Sequence, residues 1–201
     1  MVCEVAGTNR RIRGSVERGL QYLRLAAERG QFVGDDSRVM LMILEVRERK
    51  YGLALEAEEY LQKRYLRGYL LPITRAQILE KMGSREDAVR AYQNLIAWSD
   101  AGLRNYDKLK SGHARYSIGR KLMDLDRYDL ALEQIRVSVR DAGTAQDLAL
   151  GWLAAGECLD MLGYPGEAAS DYRLVLSLED FDGTHQEAKT YIARGYRPAR
   201  R

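Results

Sequence analysis

Residues 119–134 read GRKLMDLDRYDLALEQ and residues 156–171 read GECLDMLGYPGEAASD. Laid over one another they pair Gly119 with Gly156, Leu122 with Leu159 and Ala131 with Ala168. A third copy, ITRAQILEKMGSREDAVRAYQ, puts Ala76, Leu79 and Ala88 in the same register, and a fourth, MILEVRERKYGLALEAEE, puts Ala54 there. Ala54, Ala88, Ala131 and Ala168 follow one another at spacings of 34, 43 and 37 residues. Units of this length cannot bury an apolar face alone, so neighbours must stack into one continuous core.

Working outward from these copies, apolar residues recur at helical spacing and no run of period-two alternation suggests a sheet. Each copy reads as two helices joined by a short turn, at VRERKYG, EKMGSRE, MDLDRYD and DMLGYPG. The recurring alanines and glycines mark places where two helices cross closely, because a larger side chain would force them apart. Pro165 opens a second helix and Pro72 falls in a helical first turn, where a missing N–H costs nothing. Residues 15–30, SVERGLQYLRLAAERG, read as a second helix without its first, with Gly19 in register 35 residues before Ala54. The chain therefore reads as beginning in mid-repeat, naturally or as a fragment, with residues 1–14 an irregular lead-in or an expression scar.

THQEAKTYIARGY reads as a solvating last helix at about 184–196, with Thr184 and Glu187 as a capping box. Nine residues separate the second and third copies beyond the 34-residue spacing. Leu103, Tyr106 and Leu109 continue a helical period there, which predicts a lengthened helix over 103–111 rather than a loop. In all, the pattern predicts an all-α chain of about ten helices: a leading helix, four antiparallel pairs and a capping helix. It is one elongated domain over residues 15–201, with repeats at about 35–68, 69–102, 112–145 and 149–182.

Charge and chemistry exclude several classes. The net charge is +3 over 201 residues, and only RRIR at 10–13 and RPARR at 197–201 form small basic clusters, too little for a phosphate backbone. No nucleic-acid partner is expected. Cys3 and Cys158 have no partner spacing, Cys158 reading as a packed thiol, which points to a reducing compartment. No stretch has the apolar length of a membrane span and none resembles a secretory signal, so a soluble, cytoplasmic protein is expected.

EDFDGTHQE offers Asp180, Asp182 and Gly183 at calcium-loop spacing, but the first and twelfth positions are Leu178 and Lys189, which cannot complete the ligand set. His113 and His185 are the only histidines, too few for a metal cluster. Ser111 near His113 lacks a nucleophile turn. Neither a metal, a cofactor nor catalysis is expected.

The repeats resemble the tetratricopeptide repeat, whose unit is a 34-residue antiparallel helix pair. The resemblance rests on Trp152, Ala155, Gly156, Leu159, Gly163, Ala168 and Tyr172 in residues 149–182; on Ile118, Gly119, Leu122, Tyr128 and Ala131 in 112–145; and on Ala76, Leu79, Gly83, Ala88 and Tyr92 in 69–102. The copy at 35–68 fits through Tyr51, Ala54 and Leu61. Its first helix fits best when slipped by one residue, placing Val39, Met42, Ile43 and Val46 in the core. Arg75 stands where the family prefers leucine.

The resemblance implies a right-handed superhelix, an α-solenoid whose concave groove, lined by first helices, accepts a peptide or helix of a protein partner without catalysis. The family's carboxylate clamp is absent, since the matching positions hold Val39, Ile43, Thr74, His113 and Ser117. Met40, Leu44, Gln77, Tyr116, Arg120, Leu153 and Glu157 line the implied groove instead. Tyr116 and Arg120 read either as a binding pair or as structural, with Tyr116 packed on a neighbouring repeat and Arg120 paired to Asp124. The competing function is a structural or self-assembly module, read as a C-terminal fragment of a larger multi-domain protein, with a homodimer formed through an exposed solenoid end.

Overall fold

The structure is a computed structural model that describes residues 16–30 and 33–198. The lead-in at 1–14, with Cys3 and the cluster at 10–13, and the basic end at 199–201 lie outside the described residues. Among the described residues there are ten α-helices, one short 3-10 helix and no strand. The chain is all-α and built as an α-solenoid of helix pairs, as the repeats predict. Its contacts divide it into two units, one up to Tyr65 and one from Leu66 onward.

The first unit holds α1 (Val16–Arg29), α2 (Gly34–Arg47) and α3 (Tyr51–Arg64). Leu20, Ala27 and Leu41 form a core cluster on which Leu23 and Leu44 pack. The predicted register of α2 holds at Met42, which is buried, but Val39 and Ile43 are exposed and Val46 is half-buried, while Leu41 is buried together with Ser37 and Glu45. Two of the three residues in the inward stripe Ser37–Leu41–Glu45 are polar, and Glu45 tolerates burial because Arg24 donates to its carboxylate at 3.0 Å. A search for apolar residues therefore favours the wrong face. Gly19 is also not at a close contact, for nothing lies within 4 Å of where its Cβ would stand.

The second unit holds α4 (Leu70–Met82), α5 (Arg85–Asp100), a 3-10 helix (Tyr106–Lys110), α6 (Gly112–Asp124), α7 (Tyr128–Arg140), α8 (Ala145–Met161), α9 (Pro165–Leu176) and α10 (Thr184–Arg194). From α6 to α10 every helix packs on the next, and α6 also touches α8, and α8 touches α10. First helices thus lie side by side, which is what stacking of helix pairs requires.

The small residues sit where the repeats put them. Ala54, Ala76, Ala88, Ala131 and Ala168 are fully buried. A Cβ at Gly119 would come within 2.7 Å of Ile135, and one at Gly156 within 2.4 Å of the Tyr172 ring.

Each pair also turns by the same device. Arg49, Gly83, Asp126 and Gly163, each five residues before its buried alanine, all adopt positive φ, between 58° and 85°. The next residue's N–H then bonds back to a carbonyl five residues earlier: Lys50 to Glu45, Ser84 to Leu79, Arg127 to Leu122 and Tyr164 to Leu159, at 2.7 to 3.0 Å.

Pro165 is the first residue of α9 and Pro72 lies in the first turn of α4, as predicted. Two local predictions fail. Residues 103–111 do not lengthen a helix: α5 stops at Asp100, and Gly102 and Asn105 both take positive φ. The Asn105 side chain donates to the Arg67 carbonyl at 3.0 Å, and the 3-10 turn buries Tyr106 and Leu109 against α5, with the Tyr106 ring edge-on to Trp98. The helical spacing of these two residues was real, but one tight turn satisfies it.

At α10 the capping box is replaced. Asp180 accepts from the His185 N–H at 3.0 Å and from the Thr184 hydroxyl, which itself accepts from Phe181 N–H. A carboxylate makes a stronger acceptor than a hydroxyl, and it sits at the positive end of the helix dipole.

Candidate functional site

Gln77, Arg120 and Glu157 each follow a small residue, Ala76, Gly119 and Gly156, and so occupy one register position on α4, α6 and α8. Ion pairs stitch this face together. Lys121 on α6 reaches Glu80 on α4 at 3.1 Å, and Glu80 also accepts from the Tyr92 hydroxyl at 3.2 Å. Arg120 on α6 donates to Glu157 on α8 at 2.5 Å. The acid that Arg120 selects is thus Glu157, one repeat along, and not Asp124 as the structural reading of the sequence had it.

The Arg120–Glu157 pair is lopsided. The Glu157 side chain is 6% exposed and that of Arg120 is 42% exposed. Burial pushes the Glu157 carboxyl above its ordinary value; Arg120 opposes this and Glu187 adds to it. Burial is the largest influence and works to lower the Arg120 guanidinium, but Glu157, with Tyr116 and Tyr196 adding, holds the group above its ordinary value. A half-exposed cation thus offsets part of the solvation cost of a buried acid.

Tyr116, one turn before Arg120, is half-buried. Burial raises its phenol, with Arg120 opposing and Glu157 and Glu187 adding. Its ring lines a cavity of about 270 Å³ between the starts of α6 and α8, together with His113, Gln146, Asp147 and Leu150. Ser111 is committed to structure, its hydroxyl capping α6 by accepting from Ala114 N–H at 3.3 Å. Thr144 caps α8 in the same way, accepting from Asp147 N–H at 3.0 Å.

Of the other residues expected in the groove, Gln77 is exposed on α4, one turn before Glu80. Leu153 is core, packed with Leu159, Ala168, Tyr172, Val175 and Ala188. Met40 is exposed and Leu44 half-buried on α2, in the first unit. The structure therefore joins Tyr116, Arg120 and Glu157 and puts Leu153 into the core.

Sequence reasoning missed Asp160 and Tyr196. Asp160 on α8 accepts from the Tyr172 hydroxyl at 2.8 Å and from the Tyr196 backbone N–H at 2.6 Å. The one hint in the sequence was Gly195, ahead of Tyr196 and Pro198, a sign that the chain leaves its helix by a turn. Cys158, beside Glu157, is fully buried, and burial pushes its thiol up to about 12. His185 is engaged by the Leu178 carbonyl at 3.0 Å. Among the described residues no group of three or more His, Cys, Asp or Glu could hold a metal ion, and no helix is long and apolar enough to cross a membrane.

These features define the chain as an all-helical repeat protein of the solenoid class. No family model matches it, and no curated protein does. Among solved structures it is similar to a tetratricopeptide repeat protein from Parabacteroides merdae ATCC 43184, with 13% identity and a TM-score of 0.46 over 88% of this chain and 78% of that one.

Proposed function

We propose that the chain is a non-catalytic scaffold and that its second unit holds an extended or helical segment of a protein partner on the face of α4, α6 and α8. The observation that supports this most is the open cavity between the starts of α6 and α8, walled by stacked helices and edged by Tyr116 and His113. A tyrosine on a rigid helix offers apolar area with a polar tip at little entropic cost, the property of binding hot spots. The lining mixes Leu150 with Gln146 and Asp147, which suits a peptide more than a compact apolar ligand.

Arg120 is a poor residue for testing this alone, because removing it strands the buried Glu157 carboxylate. Tyr116→Ala with His113→Ala avoids that. Peptides selected by display on the full chain should bind the double variant at least about tenfold more weakly, equivalent to about 1.4 kcal/mol, with helicity unchanged. Undiminished binding would refute the assignment.

One observation favours a second reading, self-assembly: α2 exposes Val39, Met40 and Ile43 together. Concentration-dependent mass that Met40→Glu with Ile43→Glu abolishes would support a homodimer through the first unit.

A further inference from the structure

Beyond α10 the chain turns back. Gly195 takes φ 70° and ψ 155°, a conformation closed to residues with a Cβ, and this sends Tyr196 toward α8. There the Tyr196 N–H donates to Asp160 at 2.6 Å, and its ring meets the Tyr191 ring at 5.2 Å and 79°, edge to face. Burial holds the Tyr196 phenol above its ordinary value; Glu157 adds to this, Arg120 opposes it, and Cys158 and Asp124 add further. Tyr196 is therefore within electrostatic reach of the same α6 and α8 side chains that make the candidate site. Arg197 and Pro198, the next two residues, are exposed.

We propose that residues 195–198 are a displaceable strap on the first-helix face at α8, and that a partner's segment reaches Asp160, three residues beyond Glu157, only after Tyr196 has left. This rests on the groove reading above. The strap is held by the Gly195 N–H on the Tyr191 carbonyl at 2.8 Å, by the Tyr196 N–H on Asp160 and by the ring contact between Tyr196 and Tyr191. Its release leaves no buried group stranded, because Asp160 keeps the Tyr172 hydroxyl as a donor at 2.8 Å and the freed amide passes to water.

Tethered to α10, the strap competes at a high effective concentration and so weakens every ligand of this face by the fraction of time it is docked. It also shows what the face accepts: an extended segment with an aromatic residue whose N–H meets Asp160. The segment must carry no acid there, since the Asp160 carboxylate that takes its N–H would repel it.

The probe is the acetylated, amidated pentapeptide RGYRP, titrated into the full chain while amide NMR shifts are followed. The Tyr196→Ala chain should bind it at least about tenfold more tightly than the unaltered chain, with shifts confined to α6, α8 and α10. Tyr196→Phe, which keeps ring and N–H, should behave as the unaltered chain. Equal titration of both chains, or no shift in either, would overturn the strap. The groove reading would survive that result if display-selected peptides still depend on Tyr116. Conversely, loss of that dependence alongside an intact RGYRP titration would sink the groove reading alone. A fall of several degrees in the melting temperature of Tyr196→Ala, without gain in peptide affinity, would make the contact structural and also overturn the proposal.

Discussion

Removing Arg120 tests the charge ladder, and its signature is a dependence on pH. Breaking a buried ion pair from one side costs about 3–5 kcal/mol, since the remaining charge is left without a partner. Arg120 is 42% exposed, so solvent already screens part of its attraction, and the loss expected for Arg120→Ala at pH 8 falls to about 2 kcal/mol. For a unit of this size that is about 4–8 °C in melting temperature. Glu157 is raised in the folded state even with Arg120 present, so the native chain holds that proton more tightly than the unfolded one. Its charge therefore opposes folding above the unfolded carboxyl range, and the penalty disappears as pH falls below it. Without Arg120 the carboxyl rises further and the penalty at high pH grows. The gap between the two chains should accordingly shrink to below about 1 kcal/mol near pH 4.5, where a neutral Glu157 needs no partner. Urea unfolding at both pH values measures it, and Arg120→Ala with Glu157→Gln should recover most of the loss at pH 8. A gap that is the same at both pH values, or one that the second substitution leaves in place, would show that Arg120 acts through packing and not through charge.

Gly156→Ala should cost about 1–3 kcal/mol, because its Cβ would meet the Tyr172 ring at 2.4 Å. Gly166→Ala, with nothing within 4 Å of the added carbon, should be neutral or gain up to about 1 kcal/mol in the same urea assay. At the shared turn position, Arg49→Gly should stabilise and Gly163→Ala destabilise, each by about 1 kcal/mol, since both act on a positive φ; calorimetry that finds the two alike would refute the common turn. Tyr92 and Tyr172 are raised by burial first and then by Glu80 and Asp160 respectively, so the folded chain holds these phenol protons beyond the range of free tyrosine. Their contribution is fully present below about pH 10, the unfolded value, and is lost as pH rises above it through the higher folded value, so an ultraviolet titration should show them ionising only as the chain unfolds.

The helix pairs were legible because close packing demands small residues at fixed offsets. Ala88, Ala131 and Ala168 carry that demand directly, and so do Gly119 and Gly156 on the facing helices. The shared turn was only half legible. Gly83 and Gly163 announce a positive φ and Asp126 tolerates one, whereas Arg49 adopts it without any local sign, because the six-residue hydrogen bond and the packing on both sides impose it. The α2 register was misread because Glu45 belongs to the core only through Arg24, a partner 21 residues away. The same reason hid the candidate site's wiring. Which acid Arg120 selects depends on the rise between stacked repeats, and nothing local distinguishes Glu157 from Asp124. Asp160 and Tyr196 lie still further from any pattern, since they meet only after α10 has turned the chain back.

The pairing that stiffens this face also limits what it can hold. An acidic segment gains little from Arg120, because it must take the guanidinium from Glu157 and leave a carboxylate that is 6% exposed without its cation. Asp160, at the Tyr196 N–H, lies on the same surface and repels a second negative charge. A neutral or basic segment leaves the Arg120–Glu157 bond intact and meets no such cost, which is the character of Tyr196 and Arg197 themselves. Peptides selected on the Tyr196→Ala chain should therefore be poor in aspartate and glutamate and should carry an aromatic residue, and raising the salt concentration should weaken the basic ones modestly. Enrichment of acidic residues among the selected peptides would contradict this. It would mean that Arg120 exchanges Glu157 for the ligand, and Glu157→Gln should then tighten acidic peptides by freeing the cation.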